Sequence, residues 1–206
     1  MNRLRKHRPL TLLLIILMFV TSIKLNAQTK PCENKLSIFG NTNISQFRFK
    51  QTSFANKPDD KRKKSWRIEE SGDAISIYIP VNDFKTNNPI MYFNFLDLIK
   101  AEQYPDIIIS LQKKELFNIS NTEKEFVPLI VINLAGVKKE YLISCESASC
   151  QKTGLHIKGS REIKLTDFKL NPPTKSLGLI KVKNNVIINF ELSLPVTLLS
   201  SNTSGP

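Results

Sequence analysis

Apolar residues recur at every second position along most of this chain. Leu36-Ser-Ile38-Phe-Gly40 starts an alternation that resumes at Ile44 and runs through Phe47 and Phe49. Ala74-Ile75-Ser-Ile77-Tyr-Ile79 alternates cleanly, with its isoleucines on one face. Asp106 to Leu111 and Val127 to Leu134 are compact apolar runs, the second with Pro128 near its start. Lys139 to Cys145 alternates about Tyr141 and Ile143, Ile157, Ile163 and Leu165 point to further strand, and Val186 to Leu194 closes the set. β-branched and aromatic residues at a period of two mark half-buried strands. Short connections between them predict antiparallel hairpins.

One segment breaks the period. Met91, Phe95 and Leu98 recur at helical spacing, Asn88 is placed to cap, and Pro89 suits the first helical position. Tyr104-Pro105 stops the pattern, because the residue before proline is pushed out of helical space. The spacing predicts one short helix, about 88–102, at one end of an all-β domain.

The N-terminus follows different rules. Arg3, Arg5, Lys6 and Arg8 form a positive block, and Leu10 to Val20 is an apolar run with Thr11 as its one polar member. That run is too short for a bilayer span, which takes about 20 residues, and has the length of a signal-peptide core. Cleavage is expected near Ala27. The expected plan is a signal peptide at 1–27, a leader at 28–35, the β domain at 36–196 and a polar tail at 197–206, in a protein exported to the periplasm. The chain has 206 residues and a formal charge of +12; losing Arg3, Arg5, Lys6, Arg8 and Lys24 with the signal lowers the excess to +7. A mildly basic domain suits anionic surfaces without defining a function.

An oxidising compartment permits disulfides. Cys145 and Cys150 are expected to close a short loop, and pairing of Cys32 with either is the alternative. Catalytic chemistry finds little support. His7 leaves with the signal, so a Ser-His-Asp arrangement would have to use His156, whose neighbours Leu155 and Ile157 read as strand. The histidine count excludes a zinc site built on histidines. No glycine-rich phosphate loop occurs, and no cofactor or metal is expected. The acidic pairs Asp59-Asp60 and Glu69-Glu70 read as solvated. The run Lys61-Arg62-Lys63-Lys64-Ser-Trp66-Arg67 reads as a solvated loop, with an anionic lipid surface as its functional alternative and no nucleic acid expected.

Three blocks resemble the YceI-like family of periplasmic lipid-binding barrels. The first is Leu98-Ile-Lys-Ala-Glu-Gln-Tyr104-Pro105-Asp-Ile-Ile, which is similar to that family's helix, Tyr-Pro and strand. The second is Val131-Ile-Asn-Leu-Ala-Gly136-Val137, a strand followed by a Gly-Val turn. The third is Ile163-Lys-Leu-Thr166-Asp167-Phe168 with Pro172-Pro173, Gly178 and the long strand to Leu194. The likeness covers about residues 36–194. The chain departs from the family in its basic loop from Lys57 to Arg67.

The resemblance implies an antiparallel, lipocalin-like β-barrel whose apolar lumen holds an isoprenoid-type lipid, in a non-enzymatic carrier. A ligand-free barrel serving as a stress-related or protein-interaction module is the alternative. The strand residues expected to face the lumen are Phe47 and Phe49; Ile75, Ile77 and Ile79; Ile107 and Ile109; Ile130 and Ile132; and Ile188, Phe190 and Leu192. From the helix, Phe95 and Leu98 are expected to line or plug one end. Tyr104, Asp167 and Phe168 are the residues expected at the mouth. Burial drives such a site, since apolar surface gains roughly 25 cal/mol per Å² on leaving water.

Overall fold

A computed structural model of the protein describes residues 33–54, 66–117, 125–150, 154–175 and 177–195. The expected signal peptide, most of the leader, the run 61–65 and the tail lie outside these residues.

Among the described residues, twelve strands form two antiparallel sheets. The first contains β1 (Glu33–Thr42), β2 (Gln46–Phe54), β6 (Glu125–Phe126), β9 (Cys145–Cys150), β10 (Gly154–Lys164), β11 (Thr174–Lys175) and β12 (Ile180–Pro195). Its order is β2-β1-β12-β10-β9-β6, with β11 paired to β12. The second contains β3 (Arg67–Ser71), β4 (Ala74–Pro80), β5 (Asp106–Gln112), β7 (Leu129–Leu134) and β8 (Val137–Leu142), in the order β3-β4-β5-β7-β8. Strand β1 begins at Glu33, inside the expected leader, where Glu33 to Lys35 already pair with Phe54 to Thr52.

The alternation maps onto burial. In β5, Ile107, Ile109 and Leu111 face inward, and the residues between them are half-buried. Register carries the apolar rows across the sheet: Ile77 opposes Ile109, which opposes Ile132, and Ile75 opposes Leu111, which opposes Ile130. In the other sheet Phe49 opposes Ile38, which opposes Ile188. The two apolar faces form one core.

The closed barrel implied by the resemblance is not what the ladders show. Among the described residues, no strand of one sheet pairs with a strand of the other; Lys50 of β2 bridges Lys85 in the segment after β4, and the Ile143 N–H, between β8 and β9, donates to Pro128 O, between β6 and β7, at 3.2 Å. An alternating strand has the same sequence in a closed barrel as in two facing sheets; edge pairing alone separates them.

Helix α1 (Pro89–Leu98) starts as the sequence predicts. Asn88 Oδ1 accepts from the Met91 N–H at 3.2 Å, and Pro89 occupies the first turn. It stops four residues short of 102. Lys100 takes a left-handed conformation (φ 55°), its N–H donates to Asp97 O, and the Ala101 N–H reaches back to Leu96 O at 2.9 Å. That bond pair closes a helix C-terminus before any proline is met. A second helix, α2 (Lys113–Phe117), follows β5. Leu165, expected in a strand, instead opens a 3-10 turn, Leu165–Phe168.

An apolar cavity as the candidate functional site

Helix α1 lies over one end of the space between the sheets and borders a partly open cavity of about 60 Å³. Met91, Asn94, Phe95, Leu98 and Ile99 line it from the helix side. Ile38, Phe47 and Phe49 come from β1 and β2, Val182, Val186 and Ile188 from β12, and Ile163 and Leu165 from β10 and the turn after it. The second sheet supplies Ile107, Ile132 and Leu134, and Pro173 completes the wall. Asn94 is the one polar side chain among these lining residues. Such a wall selects for hydrocarbon, because it gives a polar ligand group almost nothing to replace water with.

Aromatic packing holds the helix down. The Phe95 ring stacks on Phe49 at 4.3 Å and 22°, and meets Phe84 edge-on at 5.4 Å. Phe47 meets Phe49 edge-on at 5.7 Å. Phe47 can lie where it does because its cross-strand partner is Gly40; a Cβ there would run into the ring. Small-beside-aromatic pairing across strands fixes ring position.

Of the residues expected to face the lumen, Phe47, Phe49, Phe95, Leu98, Ile107, Ile132 and Ile188 border this cavity. Ile75, Ile77, Ile79, Ile109, Ile130, Phe190 and Leu192 do not. They are buried in the packed remainder of the core, each at most 2% exposed. Phe190 fills the space above Gly159 much as Phe47 does above Gly40. Alternation identifies the inner face of a strand; it carries no information on how far along the strand the space remains open.

The residues expected at the mouth fall in two places. Tyr104 packs on the turn between β7 and β8, where a Cβ on Gly136 would approach its ring to 2.5 Å. Asp167 accepts from the Tyr141 hydroxyl at 3.3 Å, and Phe168 is buried with its ring 6.3 Å from that of Tyr141. The Arg161 guanidinium sits 5.6 Å from the centre of the Tyr141 ring. Burial, with the Asp167 charge beside it, pushes the Tyr141 hydroxyl up to about 12. Tyr141 and Arg161 belong to this cluster yet carry no sequence signal, since β8 and β10 are neighbours only across the gap between sheets. The pairing of β10 with β9 ends at Gly159, so the stretch 160–164 faces β8 across a seam that no ladder closes among the described residues. Arg161 and Asp167 each stand two residues from a cavity-lining side chain, Ile163 and Leu165.

A second polar cluster lies on the other face of the first sheet. His156 Nδ1 is 2.9 Å from Ser193 Oγ, and its Nε2 is 3.7 Å from Glu191 Oε2. Order and distance resemble a Ser-His-acid relay, but Ser193 is 1% exposed and its N–H is tied to Asn34 Oδ1 at 2.7 Å. A nucleophile needs room for a carbonyl carbon beside it, and this serine is packed. Burial holds the His156 imidazole below its usual range. Glu191 is held low by Lys35, 3.0 Å away, against the opposing effect of its burial.

The expected Cys145–Cys150 loop is corrected. Both residues belong to β9, so their Cα atoms stand about 16 Å apart at roughly 3.3 Å per residue, against a disulfide limit of roughly 7 Å. The Cys145 thiol is free and buried, and burial raises it to about 12. Of the basic run, Trp66 is buried, and Arg67 pairs with Asp106 at 3.1 Å and lies over the Tyr78 ring at 5.0 Å. Among the described residues no group of histidine, cysteine and carboxylate side chains is arranged to hold a metal, and no helix is long and apolar enough to cross a membrane.

No protein-family profile and no curated protein matches the sequence. Solved structures do match the fold. A polyisoprenoid binding domain from Saccharophagus degradans, implicated in plant cell wall breakdown, superposes with a TM-score of 0.55 at 10% identity, over 79% of this chain and 97% of its own. BcnA from Burkholderia cenocepacia gives 0.53 at 13% identity, over 77% and 94%. The YCEI protein of Campylobacter jejuni gives 0.46 at 20% identity, over 64% and 80%. At these identities the likeness to the first two structures is one of fold.

Proposed function

We propose that the protein is a periplasmic, non-enzymatic binding protein for an apolar, isoprenoid-type lipid, with the chain held between the sheets beneath helix α1. The observation that carries this reading is the cavity wall, in which Asn94 alone among the described lining residues is polar. Support comes from the fold, which is shared with a domain described as binding polyisoprenoids. The Tyr141–Asp167–Arg161 cluster stands two residues from the lining at Ile163 and Leu165, and in this reading it orients a head group. The cavity volume of about 60 Å³ is far below the roughly 300–1,000 Å³ of a formed ligand site. A long chain therefore enters by spreading the two sheets at the seam between β8 and residues 160–164 of β10, where no ladder has to break.

The same small volume favours one rival: a filled fold with no ligand, acting as a stress-related or protein-interaction module. Native mass spectrometry of protein purified without detergent from its own compartment, followed by solvent extraction, separates the two. The carrier reading expects a stoichiometric adduct that extracts as an apolar lipid. A clean protein mass, with no rise in melting temperature on adding isoprenoid lipids, sinks it in favour of the rival.

A further inference from the structure

Two loops at one rim of the cavity carry large apolar side chains into solvent. Asn43 ties them together: its backbone N–H donates to Lys181 O at 3.0 Å, its side-chain amide donates to Leu179 O at 2.8 Å, and its Oδ1 accepts from the Lys181 N–H at 2.9 Å. The turn between β1 and β2 thereby holds Ile44 beside the β11–β12 hairpin, which carries Leu177 and Leu179. Ile44 is 69% exposed, Leu179 is 73% exposed, and Leu177 is fully exposed in a left-handed conformation (φ 54°). Turn positions of that conformation ordinarily hold Gly, Asn or Asp, so a leucine there accepts strain without gaining burial. Phe47, Pro173 and Val182 line the cavity from this side and Met91 and Asn94 from helix α1. The helix in turn exposes Ile90 and Phe93, at neighbouring positions on its surface.

The charges on these two loops have one sign, while helix α1 carries one exposed acid, Asp97, a turn beyond Phe93. From Leu36 to Pro58 the sequence contains no acidic residue. From Phe168 to Phe190 it contains Lys169, Lys175, Lys181 and Lys183 and again no acid, and from Thr86 to Leu96 it contains no charge at all. Lys181 and Lys183 are exposed. Uncharged apolar tips set among cations are the pattern that enters the headgroup region of an anionic bilayer, where apolar side chains insert and lysines face phosphates.

We infer that this rim, formed by Ile44, Leu177 and Leu179 with the outer face of helix α1, docks on an anionic phospholipid surface. The surface differs from the Lys61–Arg67 run. The inference rests on the carrier reading for its purpose, the passage of a lipid between bilayer and cavity, and on the rim alone for its geometry.

Co-sedimentation of the purified protein with vesicles tests it. Vesicles of phosphatidylglycerol and phosphatidylethanolamine are expected to bind the protein, vesicles of phosphatidylcholine to bind it weakly, and added salt to weaken the first. The Leu177→Ser/Leu179→Ser variant should partition about tenfold less. These side chains are exposed, so its melting temperature should hold. Val127→Ser/Leu142→Ser, which removes two comparably exposed residues, one just after β6 and one at the end of β8, should bind as the unaltered protein does. Failure of the unaltered protein to bind either vesicle overturns the inference, as does equal weakening by both variant pairs. A protein that co-purifies with the unaltered chain but not with the Leu177→Ser/Leu179→Ser variant, without vesicle binding, also overturns it and makes the rim a protein interface. Lipid extracted from the same samples reports on the carrier reading separately, since docking and an empty cavity can coexist.

Discussion

The ring of Tyr104 rests on Gly136, so the exit from helix α1 is pinned to the turn between β7 and β8. Gly136 meets two demands at once, a positive φ of 77° and the absence of a Cβ beneath the ring. Gly136→Ala should therefore cost about 2 kcal/mol or more in urea denaturation. Adding Tyr104→Ala should recover the steric part and leave the cost of the backbone conformation. Strict additivity of the two changes would show that the ring and the glycine are not coupled.

Phe95 and Phe190 make opposite predictions. Phe95→Ala removes the plate stacked on Phe49 and opens the cavity, so about 3–5 kcal/mol of stability should go together with most of the bound lipid. Phe190→Ala should cost a similar amount of stability and leave lipid per folded protein unchanged, because Phe190 fills the space above Gly159 away from the cavity. Denaturation paired with lipid quantification reads both, and loss of lipid in the Phe190 variant would extend the site along the core.

The buried His156 sets a pH dependence. Burial disfavours its cation and holds its pKa below that of a free imidazole, so the unfolded chain binds the proton first. Stability should be complete above about pH 6.5 and fall as pH drops from there toward the lower folded value. His156→Gln should flatten the stability–pH curve in that window, while Glu191, held low by Lys35, loses its contribution only at more acid pH. An unchanged slope in the variant would assign the dependence to other groups.

Cys145 should resist alkylation in the native protein, since its thiol is buried and raised to about 12. Iodoacetamide followed by peptide mass spectrometry should label it only after denaturation. No peptide pair joined through Cys145 and Cys150 should appear under non-reducing digestion. Detecting that pair would mean that β9 does not extend from Cys145 to Cys150.

The strands were legible because each buried face announces itself at a period of two, and the start of helix α1 because Asn88 and Pro89 mark it; its end at Leu98 lies ahead of the stop that Tyr104-Pro105 suggests. Strand β3 was not legible. Its Arg-Ile-Glu-Glu-Ser is polar on both faces, and it is held by a ladder to β4 in which Ile68 opposes Ile77. Closure was illegible for a different reason, since it depends on edges meeting rather than on any residue. The same holds for the Tyr141–Asp167–Arg161 cluster, whose members are assembled by the gap between sheets. Within the candidate site, the sequence separates Ile107 from Ile109 in no way. Only the position of helix α1 above one end makes the first a wall of the cavity and the second part of the packed core.

The pairing of β1 with β12 bears on the order of events in folding. These two strands are neighbours near the middle of the first sheet, with Lys35 opposite Glu191, 156 positions apart. A ribosome or a translocation pore delivers β1 long before its partner exists, and β2 is its one hairpin neighbour until then. The second sheet, by contrast, is built from segments close in sequence and can form while synthesis continues. Ordering of the first sheet must await β12, a step of high contact order and therefore slow. Until that strand arrives, the β1–β2 hairpin is an unshielded apolar ribbon, in the condition that a chaperone recognises and that aggregation exploits.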